Sequence, residues 1–292
     1  MSLFDQLVDE AIREVPQFAP LRVVVEKELL QHDILREMSR AGFLQQLTFI
    51  GGTCLRTCYG SPRLSEDLDF TGGADFARDN LAELGSVLVK RLKVKYGLPI
   101  SFSDPVREEG NVDTWKLRVV TRPGRRHLAA QRINIDICAL PSHDRRPMML
   151  RNHYGVDMGT SGLILQAQSR EEILADKIVA FAMRPNRLKN RDLWDIVWLQ
   201  QQGAVLPVDL VMRKLVDRQL GRSMFQSRLK ERVEMLHAET TCRRDFLAEM
   251  QRFLPPQVVA ETLSQDAFWA ILVDVVTEET DKVLNNLTTM GR

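Results

Sequence analysis

Apolar residues recur at three- and four-residue steps over residues 3–45, through Leu3, Leu7, Ala11 and Ile12 and then Val25, Leu29, Ile34, Leu35 and Met38. This predicts helices that each lay one face on a core, with Gly42 ending the last turn. The pattern then shortens. Residues 47–50 read as a strand, Gly51-Gly52 as a turn, 53–59 as a brief helix and 67–70 as a second strand, so a helix lies between strands. Residues 77–96 form an amphipathic helical pattern stopped by Gly97. Two β-like runs, 115–121 and 132–138, flank Pro123-Gly124-Arg125-Arg126 and predict a basic-tipped antiparallel hairpin. In the second run Ile133, Ile135 and Ile137 face one way, and Asn134, Asp136 and Cys138 the other. From Ser169 onward the pattern is almost wholly helical, opening with Ser169-Arg170-Glu171-Glu172, the spacing of a capping box. The fold class expected is α+β: a mixed sheet flanked by helices over residues 1–160, then a helical lobe over 161–292.

Composition changes this picture little. With 44% hydrophobic and 27% charged residues, the 292-residue chain is long enough for two lobes with real cores, and its net charge of +1 points to no partner. The distribution of charge says more. Between Trp115 and Arg151 there are nine basic residues, including Lys116, Arg118, Arg122, Arg132, Arg145 and Arg146, against only Asp136 and Asp144. A second basic run holds Arg213, Lys214, Arg218, Arg222, Arg228, Lys230 and Arg232. Either could meet a nucleic-acid backbone or be a solvated face. Cys54, Cys58, Cys138 and Cys242 have neither zinc nor disulfide spacing. Acidic residues stand where a signal peptide would be basic, and no apolar run reaches the ~18 residues of a membrane span. The expectation is a cytoplasmic protein with no membrane partner.

The candidate chemistry centres on Asp67-Leu68-Asp69. Two aspartates at i and i+2 of a strand share a face and can hold a divalent cation. The preceding Gly51-Gly52-Thr53 turn offers backbone N–H groups and a hydroxyl to a phosphate. Asp136, on a neighbouring strand, makes a carboxylate triad suited to metal-assisted phosphoryl or nucleotidyl transfer, and could itself accept a proton. Lys177 lies between Ile173 and Phe181 on an apolar helical stripe, where it either reaches a phosphate or snorkels to water. On the first reading, methionine at 177 is expected to impair turnover far more than folding. Asp192 and Asp195, three apart, share a helical face: they orient Lys177 or an arginine, contact metal or nucleotide, or serve a salt-bridged helix start. Trp194 and Trp198 are expected to pack between the lobes. His127, His143 and His153 show no ligand spacing.

The ordered set of Gly51-Gly52-Thr53, residues 63–69 (RLSEDLD), Ile135-Asp136, Glu172 to Lys177 and residues 191–195 (RDLWD) resembles the AbiEii/AbiGii-type nucleotidyltransferase toxins. These include the MenT toxins and belong to the DNA polymerase β-like superfamily. The resemblance spans roughly residues 45–200. It implies a polymerase β-like lobe followed by a helical lobe, with the NTP in the cleft between them. Position by position, Gly51, Gly52, Thr53, Arg63, Ser65, Lys177, Arg191 and Asp192 would meet the nucleotide. Asp67, Asp69 and Asp136 would bind magnesium, or manganese in its place, and Lys177 and Asp195 would be essential. It further implies a toxin of a toxin–antitoxin or phage-defence module, with a cognate antitoxin and the 3′ end of tRNA as acceptor. Two other readings stay open: transfer to a protein, and a non-catalytic nucleotide- or RNA-binding module.

Overall fold

Ser2 opens helix α1 (Leu3–Glu14) with a reciprocal cap: its hydroxyl accepts the Asp5 N–H at 3.1 Å while the Asp5 carboxylate accepts the Ser2 N–H. The computed structural model describes residues 2–105, 111–124, 129–185, 188–238 and 240–290. The chain divides into two units, Met1–Gln168 and Ser169–Arg292. Among the described residues, no helix is long and apolar enough to cross a membrane.

In the first unit α1 is followed by α2 (Arg22–Arg40), β1 (Thr48–Ile50), α3 (Gly51–Cys54, running on as a single π-turn, Leu55–Tyr59), β2 (Leu68–Thr71), α4 (Leu84–Tyr96), β3 (Ile100–Ser103), β4 (Val112–Val119), β5 (Gln131–Cys138), β6 (Arg145–Met149) and β7 (Ile164–Gln168). The seven strands form one mixed sheet in the order β3-β4-β5-β2-β1-β7-β6. Strand β2 is antiparallel to β1 and parallel to β5, and β7 pairs with β1, so the sheet extends to Gln168. Period-two alternation sorts the faces. Trp115, Leu117, Val119, Ile133, Ile135 and Ile137 are buried on one side, and helices α2 and α4 contact β5 and β3. The opposite face of β4 and β5 carries Lys116, Arg118, Arg132, Asn134 and Asp136. Leu68 and Phe70 lie in register with Ile135 and Ile137, and Phe70 stacks on Phe49 with ring centroids 5.0 Å apart. The hairpin is therefore as expected, while its Arg125-Arg126 tip lies outside the described residues.

Three strands escape the sequence pattern. β3 and β7 are short, and β6 contains Pro147, which has no N–H for a ladder and is tolerated at the sheet edge that β6 occupies. Helix α2 also departs from a simple amphipathic reading, for its polar residues are buried as well as its apolar ones. Asp33 takes Lys95 at 2.6 Å and the Tyr96 hydroxyl; Glu26 takes Gln131 Nε2 at 2.6 Å and Arg122; Arg36 reaches the Met158 carbonyl. Such groups stay inside a fold because each is paired.

His32, on the same helix, has Nδ1 3.0 Å from the Thr160 hydroxyl. Burial pushes its pKa down to about 4, with His153 and Arg56 opposing the proton and Glu28 and Asp33 favouring it. The unfolded chain protonates this histidine near 6.5, so between that pH and about 4 the unfolded state binds more protons, and stability falls as pH falls. Urea unfolding should show a protein roughly 2 kcal/mol less stable at pH 5 than at pH 7 from this residue. His32→Gln should remove most of the slope; an unchanged slope would remove His32 as its source.

The second unit contains α5 (Arg170–Met183), α6 (Asn190–Gln201), α7 (Val208–Asp217), α8 (Arg222–Ala238), α9 (Thr240–Met250), α10 (Pro256–Glu261) and α11 (Phe268–Met290). Helix α5 is central, touching α6, α7 and α8. The Ser169 hydroxyl caps it by accepting the Glu172 N–H at 3.0 Å, and the Glu172 carboxylate takes the buried Lys214 at 2.8 Å. Trp194 packs on Phe268 of its own unit, centroids 5.9 Å apart.

Candidate active site

Strand pairing positions the carboxylates. Asp69 on β2 is the register partner of Asp136 on parallel β5 and of Ile50 on β1. Paired residues on adjacent strands point to the same side, about 5 Å apart, so Asp69 and Asp136 stand side by side on the face away from the apolar core. Asp67 precedes the first ladder residue, Leu68, so it is not part of the strand as the sequence led us to expect. Its Oδ1 accepts the Asn134 N–H at 3.2 Å, which ties it to β5 just ahead of the strand.

The glycine turn closes on this pair. Gly51 has φ +74°, and a Cβ there would lie 2.8 Å from Asp69 Oδ2 and 3.2 Å from Asp69 Cβ. A Cβ on Gly52 would meet Arg63 Nη2 at 2.2 Å and Ser65 Oγ at 3.4 Å. Thus Gly51 adjoins Asp69, and Gly52 adjoins Arg63 and Ser65. Thr53, read from sequence as a phosphate ligand, is fully buried: its hydroxyl donates to the Asp67 carbonyl and lies 2.8 Å from Ser65 Oγ. In this geometry it fixes the entry to β2. Gly51→Ala is expected to lose roughly 1–2 kcal/mol through the left-handed backbone. By displacing Asp69 it should also lower transfer about 100-fold. Calorimetry together with single-turnover rates would check both, and a stable, fully active alanine variant would contradict the close approach.

Sequence reasoning missed what holds the 61–65 loop. Glu28, buried on α2, accepts the Ser65 N–H at 2.9 Å, Arg56 Nε at 3.2 Å and the Tyr154 hydroxyl. Gln31 Nε2 donates to the Ser65 carbonyl at 3.2 Å, and Arg56 reaches the Ser61 carbonyl at 3.1 Å. Arg63 Nη1 donates to the Leu64 carbonyl at 3.1 Å. The available signal was a glutamate within an apolar-periodic helix, the same anomaly that drew attention to Lys177.

In the second unit Lys177 Nζ lies 2.6 Å from Asp192 Oδ1 and 2.8 Å from Asp195 Oδ2, with Arg184 Nη2 3.1 Å from Asp192 Oδ2. Both aspartates orient the lysine, joining α5 to α6. Burial works against a charged Asp192, but Lys177, Lys189 and Arg184 outweigh it and hold its pKa at about 2. Burial lowers the Lys189 pKa despite the pull of Asp192. Arg191 faces elsewhere, 3.5 Å from Glu249 and over the Phe253 ring at 4.7 Å. The second basic run divides: Lys214 is buried between Glu172 and Asp176, Arg218 reaches Asp176, and Arg232 donates to the Arg184 carbonyl. Only part of it is a solvated face.

Among the described residues no three His, Cys, Asp or Glu side chains converge into a cage for a metal ion. The donors nonetheless fit magnesium, which is usually held by one or two carboxylates together with phosphate oxygens and water. Asp69 and Asp136, adjacent by register and unobstructed by any Cβ at Gly51, supply such a pair.

By fold the chain is similar to MenT4, a nucleotidyltransferase toxin from Mycobacterium tuberculosis H37Rv, with 18% identity, 97% of this chain and 98% of that one covered and a TM-score of 0.57. JHP933 from Helicobacter pylori aligns at 16% identity over 92% and 96% of the two chains with a TM-score of 0.49. No curated protein matches the sequence. The model for the nucleotidyl transferase AbiEii toxin, type IV toxin–antitoxin system, matches residues 33–273, taking in the glycine turn, all three candidate carboxylates and the Lys177 cluster. The chain therefore belongs to the AbiEii nucleotidyltransferase toxin family.

Proposed function

We propose that this nucleotidyltransferase moves NMP from an NTP to the 3′-hydroxyl of a tRNA, with magnesium or manganese as cofactor, as the cytoplasmic toxin of a toxin–antitoxin or phage-defence module. The observation that carries the reading is the register pairing of Asp69 with Asp136 beside Gly51. Asp69 and Asp136, with Asp67 next to them, would hold the cation. When bound, it would neutralise charge on the triphosphate and lower the pKa of the attacking hydroxyl. In the step itself the acceptor 3′ oxygen bonds to the α-phosphorus, the bond to the bridging β-oxygen breaks, and pyrophosphate leaves. We assign Asp136 to accept the hydroxyl proton.

The remaining residues hold the nucleotide or its holders. Gly51 and Gly52 allow close backbone approach; Arg63 and Ser65 beside Gly52 line the phosphate side; Thr53 positions the carboxylate strand. We assign Lys177 to the triphosphate as a point charge aimed by Asp192 and Asp195, with Arg191 supporting that helix start. The test is incubation of purified protein with magnesium, each α-labelled NTP in turn and total tRNA, resolved on a denaturing gel. Label in tRNA that requires Asp69 supports the reading. Label on protein instead would move the acceptor to the toxin or its antitoxin, and nucleotide binding without transfer would make the chain a sensing module.

A further inference from the structure

The sheet face that carries the carboxylates also carries a line of cations. The side chains of Lys116 and Arg118 on β4 and of Arg132 on β5 are exposed and make no hydrogen bond or ion pair among the described residues. The register fixes their order. Thr114 pairs with Asp136, Lys116 with Asn134 and Arg118 with Arg132, so all share the side of Asp69 and Asp136. Each two-residue step along a strand covers about 7 Å, which places Lys116 one step and the two arginines two steps from the carboxylates.

Two features make this more than a solvated surface. Arg118 and Arg132 face one another directly across an antiparallel pair, an arrangement that destabilises a sheet unless an anion lies over it. Both also line a concavity of about 690 Å³ with Glu26, Lys27 and Arg122. There Lys27 is bound to Glu66 and Arg122 to Glu26, which leaves Arg118 and Arg132 as the cations facing solvent.

We propose that Lys116, Arg118 and Arg132 form a track for the phosphodiester backbone of a single-stranded RNA end, leading its terminal hydroxyl to Asp69 and Asp136. The step length along β4 and β5 is on the scale of a backbone repeat, and cations without partners exchange readily for phosphates. This deepens the transfer reading and rests on it, because only a polynucleotide acceptor needs a path of this length.

The experiment compares wild type with the triple charge reversal K116E/R118E/R132E. A fluorescent single-stranded RNA with a free 3′-hydroxyl is bound between 50 and 200 mM salt, and α-labelled NTP is bound separately with magnesium. Losing three contacts should flatten the slope of log affinity against log salt by about 2. RNA affinity should fall at least about tenfold at the lowest salt, where the electrostatic contribution is largest, with NTP affinity unchanged. The milder R132Q should flatten the slope by about 0.7, which keeps the test decisive if the triple variant does not fold. Unchanged RNA binding and labelling in the variants would overturn the track and leave the transferase reading standing. Equal loss of NTP binding would assign these cations to the triphosphate and overturn the track as well. A wild type that neither binds nor labels RNA would overturn both.

Discussion

Asp69→Asn is expected to abolish nucleotide transfer while leaving the fold intact. The substitution keeps shape and volume and removes one charge from a half-buried position whose register partner is another carboxylate. The amide is close to the carboxylate in shape and volume, so the substitution should change stability little. Catalysis is different, since a cation held by two carboxylates loses half its anionic anchor. We expect a fall of about 10³-fold or more, on the order of 4 kcal/mol of transition-state stabilisation. The measurement is transfer from α-labelled NTP under saturating magnesium, alongside a thermal midpoint within a few degrees of wild type. Retention of a tenth of the activity would remove Asp69 from the centre of the chemistry.

Lys177→Met should have the largest effect on stability. The lysine lies between Asp192 and Asp195, and all three are buried. Removing it takes away the ammonium that contacts both carboxylates, while Arg184 and Lys189 still favour the charged form of Asp192. Breaking a buried pair in this way typically costs about 3–5 kcal/mol. The expectation from sequence, that methionine here harms turnover far more than folding, is thus revised: both should fall. Adding Asp195→Asn should recover part of the stability and none of the activity. Denaturant unfolding of the single and double variants would check this, and a methionine variant as stable as wild type would show that the cluster carries no net stabilisation.

The parts of the fold that could be read from the sequence are those in which a local signal and the tertiary environment agree. The β4–β5 hairpin alternates cleanly because one side is core and the other solvent. Gly97 stops α4 in the left-handed conformation, and Ser169 caps α5 through its hydroxyl. Asp136 was placed correctly because Ile133, Ile135 and Ile137 fixed the phase of β5. Where long-range contacts decide, the sequence is silent. The polar residues of α2 are inside only because Arg122, Gln131, Tyr154 and Met158 arrive from distant positions to pair with them. Thr53 looked like a phosphate ligand because its local motif is one, yet the Asp67 carbonyl captures its hydroxyl. Lys177 stood out as a charge on an apolar stripe, but only the α5–α6 packing shows that two aspartates fill the same space.

The sheet order has a consequence for synthesis on the ribosome. Strand β2 emerges early, carrying Asp69, but one of its two neighbours is β5, and the adjoining strand β1 lacks its second neighbour until β7 has been made. The loop beside Gly52 likewise waits for Tyr154 to complete the Glu28 network. A nascent or prematurely terminated chain ending before β5 therefore has Asp67 and Asp69 without Asp136, and only β1 beside the strand that carries Asp69. Such a fragment also lacks Lys177 and Asp195 of the second unit, so for a toxin we expect the products of abortive translation to be inactive.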